Sequence, residues 1–216
     1  MQGSADEPLE LLDDAGNPLG TGKARAQVHA DGDWHRAFHL WVVREGRLVL
    51  LQRRSAEKDL EAGKLDVSVG GHVRFGETLA DVVREADEEI GLVVRPGDLI
   101  YLGSARSERR YDGALDREVQ DVYAVRDERP LNEYMLDCNE VEVLYEVPLD
   151  KAIALYRDGS YVAVAGYDCQ HRHNDALLVA DDLIAQGREL TAAALERVRD
   201  WLAGADPEAW VNVPIA

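Results

Sequence analysis

The chain has 216 residues, 46% of them hydrophobic, and 24 basic against 42 acidic side chains give a net charge of −18 at pH 7. This length fits one domain with a real core, with room for an appendage. The acidic excess argues against duplex nucleic acid as a partner, because phosphate backbones are bound by lysine and arginine. Small anionic substrates stay open, since a bound divalent metal inverts the local charge.

The sequence also bears on location. No apolar run approaches the ~20 residues that a membrane helix needs, and the polar, acidic N-terminus lacks the features of a signal peptide. Cys138 and Cys169 lie far apart in no C-x-x-C pattern, which favours reduced thiols over a disulfide framework. We expect a cytoplasmic protein without membrane contact, and a homodimer is left open.

Short strands are predicted in the first third of the chain. Residues 9–13 and 23–29 flank a turn that is dense in glycine, asparagine and proline. Residues 37–43 and 48–53 flank a short polar turn and predict a hairpin of half-buried strands. Residues 65–70 predict a further strand, which leads into a glycine-rich turn.

The next element is a helix between Thr78 and Gly91. Thr78 is suited to the N-cap with Asp81 as its capping-box partner, and Gly91 supplies the C-terminal stop. The apolar residues of this helix share one side and are Leu79, Val82, Val83, Ala86 and Ile90. That side is predicted to be buried.

A second side of the same helix is acidic. Glu85, Glu88 and Glu89 are spaced i, i+3 and i+4, so their carboxylates share one face. Like charges at this spacing destabilise an isolated helix. A bound Mg²⁺ or Mn²⁺ would offset the repulsion, because both ions accept oxygen ligands. A solvated acidic surface is the alternative that three carboxylates alone leave open.

The second half of the chain mixes strands and helices. Strands are predicted at residues 99–104, 118–125 and 141–147. Pro148 opens a helix that reaches about Tyr156. Residues 175–186 and 191–203 are predicted to be helical, the second with Thr191 as its N-cap, and the tail beyond them is irregular. This order of elements indicates a mixed α/β protein.

Residues 84–92, READEEIGL, resemble the second half of the Nudix box, R-E-U-x-E-E-x-G-U, in which U is an aliphatic residue. Gly71 and Glu77 match its first half, G-x5-E. The chain is thereby identified as a member of the Nudix (MutT-like) superfamily. The resemblance implies hydrolysis of a nucleoside diphosphate linked to another moiety, with Mg²⁺ or Mn²⁺ held by the three glutamates of the acidic face.

The chain departs from the family pattern between the two halves of the box. Six residues separate Glu77 from Arg84, whereas the family pattern has seven. In the family this arginine braces the loop through an ion pair with the glutamate and does not touch substrate. The shorter spacing predicts that Glu77 is displaced, while the three helix carboxylates keep their mutual geometry.

A wider match, over roughly residues 9–165, resembles Nudix hydrolases that include the amino-terminal domain of a plant member. Its segments are residues 25–41, 52–54, 66–68 and 121–123. The resemblance implies a Nudix α/β/α sandwich with a mixed β-sheet plus a C-terminal helical extension. We expect the Nudix domain to span residues 1–170 and the extension, packed on it, to span residues 171–216.

A second group of polar residues resembles the metal site of the isopentenyl-diphosphate isomerases, which share this fold and use three histidines and two glutamates. Matching the surrounding motifs assigns the five ligand positions to His29, His35, His72, Asp116 and Glu118. The reactive cysteine of the isomerases falls at Gly70, which cannot deliver a proton. The histidines therefore indicate a second metal site or, alternatively, structural residues.

Further roles follow for residues near the box. One carboxylate of the helix set, or a further glutamate on another strand, would take a proton from the attacking water. Glu118 is the candidate for that further glutamate, and an exposed strand carboxylate without this role is the alternative. Gly70 and Gly71 lack a Cβ, so their backbone can approach a metal or a phosphate closely.

Substrate recognition is less defined by the sequence. Arg53 and Arg54 end a strand, and alternation turns only one of them inward, where it would bind a phosphate through two hydrogen bonds. A solvated pair is the alternative. Trp34, Trp41 and Tyr111 are candidates for base or isoprenoid recognition, although an aromatic on a strand commonly belongs to the core.

The predicted function is a metal-dependent pyrophosphohydrolase that cleaves a diphosphate linkage in a nucleoside di- or triphosphate, or in a nucleoside diphosphate derivative. Its partner would be a small phosphorylated substrate. The alternatives are an isopentenyl-diphosphate isomerase-like enzyme and a non-catalytic module that binds a nucleotide.

Overall fold

The molecule is built around a mixed β-sheet. The computed structural model describes residues 5–211 and 213–216, so the first four residues of the N-terminal stretch lie outside the described residues. The strands are β1 (Pro8–Leu12), β2 (Pro18–Ala24), β3 (Trp34–Arg44), β4 (Leu48–Arg54), β5 (Leu65–Asp66), β6 (Val69–His72), β7 (Ile100–Tyr111), β8 (Ala114–Arg126), β9 (Val141–Pro148), β10 (Val162–Asp168) and β11 (His173–Leu178). The helices are α1 (Arg25–Asp31), α2 (Leu79–Val82), α3 (Arg84–Ile90), α4 (Leu149–Asp158) and α5 (Arg188–Leu202).

Strand β3 organises the sheet. It pairs in parallel with β8 from Trp34 to Val43. Along its other edge it pairs antiparallel with β6, which places Ala37 opposite His72. The strand order is β11-β10-β9-β4-β3-β1-β2, with β7 added to β8 and β5 added to β4. The parallel pairing of β3 and β8 among antiparallel neighbours is what makes the sheet mixed.

Side chains along β3 alternate between two cores. Phe38, Leu40 and Val42 enter the core that α2 and α3 cover, whereas Trp41 and Val43 enter the core that α4 and α5 cover. Successive strand residues face opposite sides, so helices lie on both faces of the sheet. Burying each large side chain contributes about 1.5–3 kcal/mol. The predicted α/β/α sandwich is confirmed.

The predicted box helix is present but divided. Helix α2 ends at Val82 and α3 begins at Arg84. The carboxylate of Asp81 accepts the N–H of Thr78 at 2.8 Å, and Gly91 ends α3 in the left-handed region with φ 67°. Both predicted caps are therefore confirmed, whereas the break between the two short helices was not predicted.

Two predicted elements are wrong. Residues 23–29 were expected to be a strand, but β2 ends at Ala24 and α1 follows, because a helical turn buries Val28 completely. Residues 175–186 were expected to be a helix. Instead β11 pairs antiparallel with β10 from Val162 opposite Leu178 onward, and the alternating exposure of β11 is that of an edge strand.

The C-terminal region differs from the prediction in detail. Helix α5 begins at Arg188 after Gly187, which has φ 86°, and not at the expected N-cap Thr191. Residues 173–178 belong to the sheet, so the segment expected to be a helical extension begins with a strand. The domain division at residue 170 remains a prediction. Among the described residues, no helix is long and apolar enough to cross a membrane.

The expectation of two reduced thiols is wrong for this structure. Cys138 and Cys169 form a disulfide with their Cα atoms 5.2 Å apart. The turn after β10 brings them together, since the backbone N–H of Cys169 donates to the carbonyl of Glu142 at 2.9 Å. Contacts between residues 31 apart in sequence cannot be read from cysteine spacing alone.

Candidate active site

One cleft brings most of the predicted site residues together. It opens between the glycine-rich turn, α3 and the strands β7 and β8. The predicted residues that line it are His29, Arg54, Gly70, Gly71, His72, Glu85, Glu88, Glu89, Tyr111, Asp116 and Glu118. His35 is buried beside His29 and His72. Arg53 and Arg84 are not among the side chains that line the cleft.

The three carboxylates of α3 differ in burial. Glu89 is only 5% exposed, whereas the side chain of Glu88 is 45% exposed. Glu85 lies across the glycine-rich turn, where a Cβ added to Gly71 would sit 2.6 Å from its Cγ atom. A residue larger than glycine would therefore push Glu85 out of position.

Glu89 lies at the bottom of the cleft. The Nε2 of Gln52 donates to its Oε2 at 3.2 Å, and the backbone N–H of Gly70 donates to the same oxygen at 3.4 Å. Burial raises the pKa of Glu89 to about 8, and the charge of Glu85 adds to the rise. Burial likewise raises the pKa of Glu85 to about 7. Both groups would be stabilised by a proton or a cation.

Arg84 ties the glycine-rich turn to the helix. Its Nη2 lies 3.0 Å from Oε1 of Glu77, and its Nη1 lies 2.8 Å from Glu85 and 2.9 Å from Glu88. The expected displacement of Glu77 is therefore wrong. The helix breaks at Val83 and restarts at Arg84, so the turn and the arginine meet although one residue is missing.

The histidines form a compact cluster supplied by three different elements. His29 lies on α1, His35 on β3 and His72 on β6, with ring centroids 5.0–5.5 Å apart. Asp116 of β8 completes the group, and the four ligand atoms lie within 4.8 Å of one another. The Nε2 of His35 lies 3.5 Å from Oδ1 of Asp116. Strand pairing explains the convergence, because β3 holds β6 and β8 on its two edges.

Burial controls the charge of this cluster. It lowers the pKa of His29 and of His72 to about 4, so both imidazoles are neutral at pH 7. Burial, together with the charge of Glu118, raises the pKa of Asp116. Burial opposes ionisation of Glu118 as well, but the hydrogen bond from His72 and the charge of Arg109 outweigh it and hold its pKa well below the usual range.

The donor atoms fit metal ions of two kinds. The Nε2 atoms of His29 and His35 and the Oδ1 of Asp116 are buried and have no hydrogen-bond partner among the described residues. Neutral imidazole and carboxylate suit Mn²⁺, Zn²⁺ and related ions. The oxygens of Glu85 and Glu89, with raised pKa values, suit Mg²⁺ or Mn²⁺.

The two adjacent arginines of β4 have different partners. Arg53 donates to the carbonyl of Gly63 at 2.7 Å and to Asp182 at 3.0 Å. Arg54 is the one that lines the cleft, but its Nη1 donates to Asp66 at 2.9 Å. The alternation expected along the strand is observed, and both side chains are engaged within the protein.

Sequence reasoning missed several cations of the cleft, among them Arg109, which strand pairing places opposite Asp116. A signal was present. Asp112-Gly113 is a two-residue hairpin turn, a strong local signal for two paired strands. Counting back across that turn from Asp116 would have placed Arg109 beside the metal-ligand candidates.

Comparison with known proteins agrees with this geometry. The profile of the NUDIX domain matches residues 33–164. A Nudix hydrolase of Clostridium acetobutylicum is 35% identical over 149 residues, which cover 68% of this chain and 72% of that protein. Nudix hydrolase 3 of Arabidopsis thaliana is 35% identical over 157 residues, 68% of this chain but only 20% of the plant protein. An isopentenyl-diphosphate Δ-isomerase of Escherichia coli is 32% identical over 139 residues, 64% of this chain and 74% of that protein.

Solved structures share the fold at lower identity. A Deinococcus radiodurans protein superimposes with a TM-score of 0.54 at 22% identity, covering 68% of this chain and 87% of that chain. A MutT protein of Methanosarcina mazei gives a TM-score of 0.51 at 21% identity, covering 80% and 96%. With the box carboxylates, the sandwich fold and the matched domain in agreement, the chain belongs to the Nudix family of hydrolases.

Proposed function

We propose that the protein is a pyrophosphohydrolase that uses Mg²⁺ or Mn²⁺ to cleave a diphosphate linkage in a nucleoside di- or triphosphate, or in a nucleoside diphosphate derivative. The observation that carries this proposal is the pair Glu85 and Glu89, held side by side at the bottom of the cleft with raised pKa values. Two buried carboxyls that favour a proton or a cation are suited to binding metal beneath a phosphate.

The bound metals would neutralise the phosphate charge and lower the pKa of an attacking water. Glu85, Glu88 and Glu89 would hold them from α3. Glu118 would act as a ligand in preference to a base, because its depressed pKa makes it a weak proton acceptor. Arg84 would hold the side chains of Glu77, Glu85 and Glu88 in position through its ion pairs, without touching substrate.

We further propose that His29, His35, His72 and Asp116 hold a second metal ion. Their unpartnered buried donor atoms support this proposal. Glu118 is next to this set, since its Oε1 is 3.3 Å from Nε2 of His72, and it lines the same cleft as the α3 carboxylates.

A second candidate function is isomerisation of isopentenyl diphosphate. The similarity to the isomerases and the histidine cluster favour it. Gly70 stands against it, because the position that would carry the reactive thiol has no side chain, and a Cβ there would already lie 3.3 Å from Val67. Incorporation of deuterium from deuterated water into isopentenyl diphosphate would establish isomerase chemistry. Hydrolysis would then no longer be the main proposal.

The test is a phosphate-release screen over nucleotides, dinucleotides, nucleotide sugars, coenzyme A and prenyl diphosphates, with Mg²⁺ and Mn²⁺ compared. We expect release from at least one nucleotide derivative, its loss with EDTA and its recovery on adding metal. Tight nucleotide binding without any turnover would instead establish a non-catalytic module. The cytoplasmic location, the absence of duplex nucleic acid and of membrane among the partners, and a homodimeric state remain predictions.

A further inference from the structure

Arg109 projects from β7 into the same cleft and is left with free donors. Its side chain is 14% exposed, and the nearest carboxylate oxygen, Oδ2 of Asp116, lies 4.0 Å from Nη1. Its Nε is buried without a hydrogen-bond partner. Among residues 5–211 and 213–216, the side chain of Arg109 makes no hydrogen bond. A buried N–H donor without a partner is costly unless a ligand accepts it, and the Nε of Arg109 is such a donor.

Two of the other cations that line the cleft are engaged with carboxylates. Arg54 donates to Asp66 at 2.9 Å, and Lys58 is ion-paired with Glu140. Neither side chain can turn toward a ligand without breaking its ion pair and leaving a carboxylate unpaired. Arg109 can donate to a ligand without breaking a hydrogen bond of its own side chain.

The surroundings of Arg109 hold its side chain in place. A Cβ added to Gly187 would lie 3.7 Å from Nε of Arg109, so the backbone before α5 covers that side of the guanidinium. This segment is fixed to β7, because Gln186 accepts the backbone N–H of Arg110 at 2.9 Å and donates to its carbonyl at 3.0 Å. The planar group is therefore oriented before any ligand arrives.

The carboxylates of the cleft cannot by themselves bind a polyanion. Burial would lower the pKa of Arg109, but the charges of Glu118, Asp66 and Asp116 outweigh it and raise that pKa. Asp116 nevertheless lies beyond the about 2.7–2.9 Å of a direct charge-assisted hydrogen bond. A guanidinium matches two oxygens of one phosphate, which a lysine ammonium does not. We propose that Arg109 binds a phosphate group of the substrate through two parallel hydrogen bonds. That this anion is a substrate phosphate rests on the proposed function.

The test measures binding and does not require turnover. Imidodiphosphate, a diphosphate that resists hydrolysis, is titrated calorimetrically with Mg²⁺ into wild type, Arg109→Gln, Arg109→Lys and Arg110→Gln. Arg110 is the matched control, because it is the next residue, 69% exposed, and paired with Glu108 outside the cleft. We expect Arg109→Gln to weaken binding about 10- to 100-fold, Arg109→Lys to recover part of the loss, and Arg110→Gln to bind as wild type does.

Each other outcome has a definite meaning. Wild-type affinity in Arg109→Gln, or no binding by wild type, overturns the inference. Full recovery in Arg109→Lys reduces the role of Arg109 to charge neutralisation and overturns the paired hydrogen bonds. Thermal unfolding of each variant shows that binding is compared between folded proteins. If Arg109 controls imidodiphosphate binding but no diphosphate is hydrolysed, the proposed function fails while the anion site stands.

Discussion

The two polar groups of the cleft are assembled in different ways. The carboxylates Glu85, Glu88 and Glu89 come from one short helix, and Arg84 holds the first two of them. The histidine cluster takes its members from α1, β3, β6 and β8, which are distant in sequence and meet only because β3 pairs with strands on both edges. The first arrangement is encoded locally, whereas the second depends on the whole sheet being in register.

Their electrostatics also differ. All three helix carboxyls offer only oxygen, and burial raises the pKa values of Glu85 and Glu89. The histidines are neutral because burial lowers their pKa values, and they offer nitrogen. We therefore expect the first group to prefer Mg²⁺ or Mn²⁺ and to carry hydrolysis, and the second to favour imidazole-binding metals and to contribute less.

The largest expected effect comes from Glu89→Gln. Loss of the buried carboxylate should lower kcat by about 10²- to 10⁴-fold, because metal-assisted activation of water is lost with it. Steady-state phosphate release measures the change. Asp87→Asn is the matched control, since Asp87 is an exposed acid on the same helix and should retain full activity. A Glu89→Gln enzyme that stays active would show that hydrolysis does not depend on the carboxylate of Glu89.

A smaller effect is expected from His35→Gln. Removing this fully buried imidazole should weaken one Mn²⁺ site by about 10- to 100-fold and reduce phosphate release less than Glu89→Gln does. Mn²⁺ titration followed by electron paramagnetic resonance measures the site. The exposed His173, changed to Gln, provides the control. Equal losses of activity in His35→Gln and Glu89→Gln would show that the histidine cluster contributes as much to hydrolysis as the helix carboxylates do.

Glu77→Gln tests the ion pair between Glu77 and Arg84, which the shorter spacing between the two halves of the Nudix box had put in doubt. Without the ion pair to Arg84, we expect the Mg²⁺ concentration for half-maximal activity to rise about tenfold. Mn²⁺ affinity of the histidine cluster should stay unchanged. An unaltered Mg²⁺ requirement would mean that the observed contact does not position the carboxylates.

The smallest effect is a shift of thermal stability with pH. Burial raises the folded pKa values of Glu85 and Glu89 to about 7 and about 8, above the ordinary 4.5. Their contribution to the free energy of unfolding is therefore greatest below pH 4.5 and is lost as the pH rises through 7 and 8. His29 and His72, depressed from 6.5 to about 4, contribute fully above pH 6.5 and lose their contribution as the pH falls toward 4. Calorimetry should show Mg²⁺ raising Tm more at pH 8.5 than at pH 6. An equal rise at both pH values would contradict the raised carboxyl pKa values.

Local signals in the sequence were sufficient for part of this molecule. Helical spacing placed Glu85 and Glu89 on one face, and Gly91 ended their helix as expected. Signals that depend on distant partners failed. Residues 173–178 have no strong strand composition and form a strand because β10 pairs with them. Arg109 was overlooked because its importance comes from Asp116 across the hairpin.

The Cys138–Cys169 disulfide limits how far the chain can open. It closes a loop of residues separated by 31 positions, which contains β9, α4 and β10. By loop-closure entropy alone, such a link disfavours the unfolded chain by about 3–4 kcal/mol at 25 °C. Just before Cys138, the backbone N–H of Asp137 donates to the carbonyl of Glu89 at 3.0 Å. The covalent loop is thus anchored at the end of α3, the helix proposed to bind metal, and we expect reduction of the disulfide to change the metal affinity of a sample.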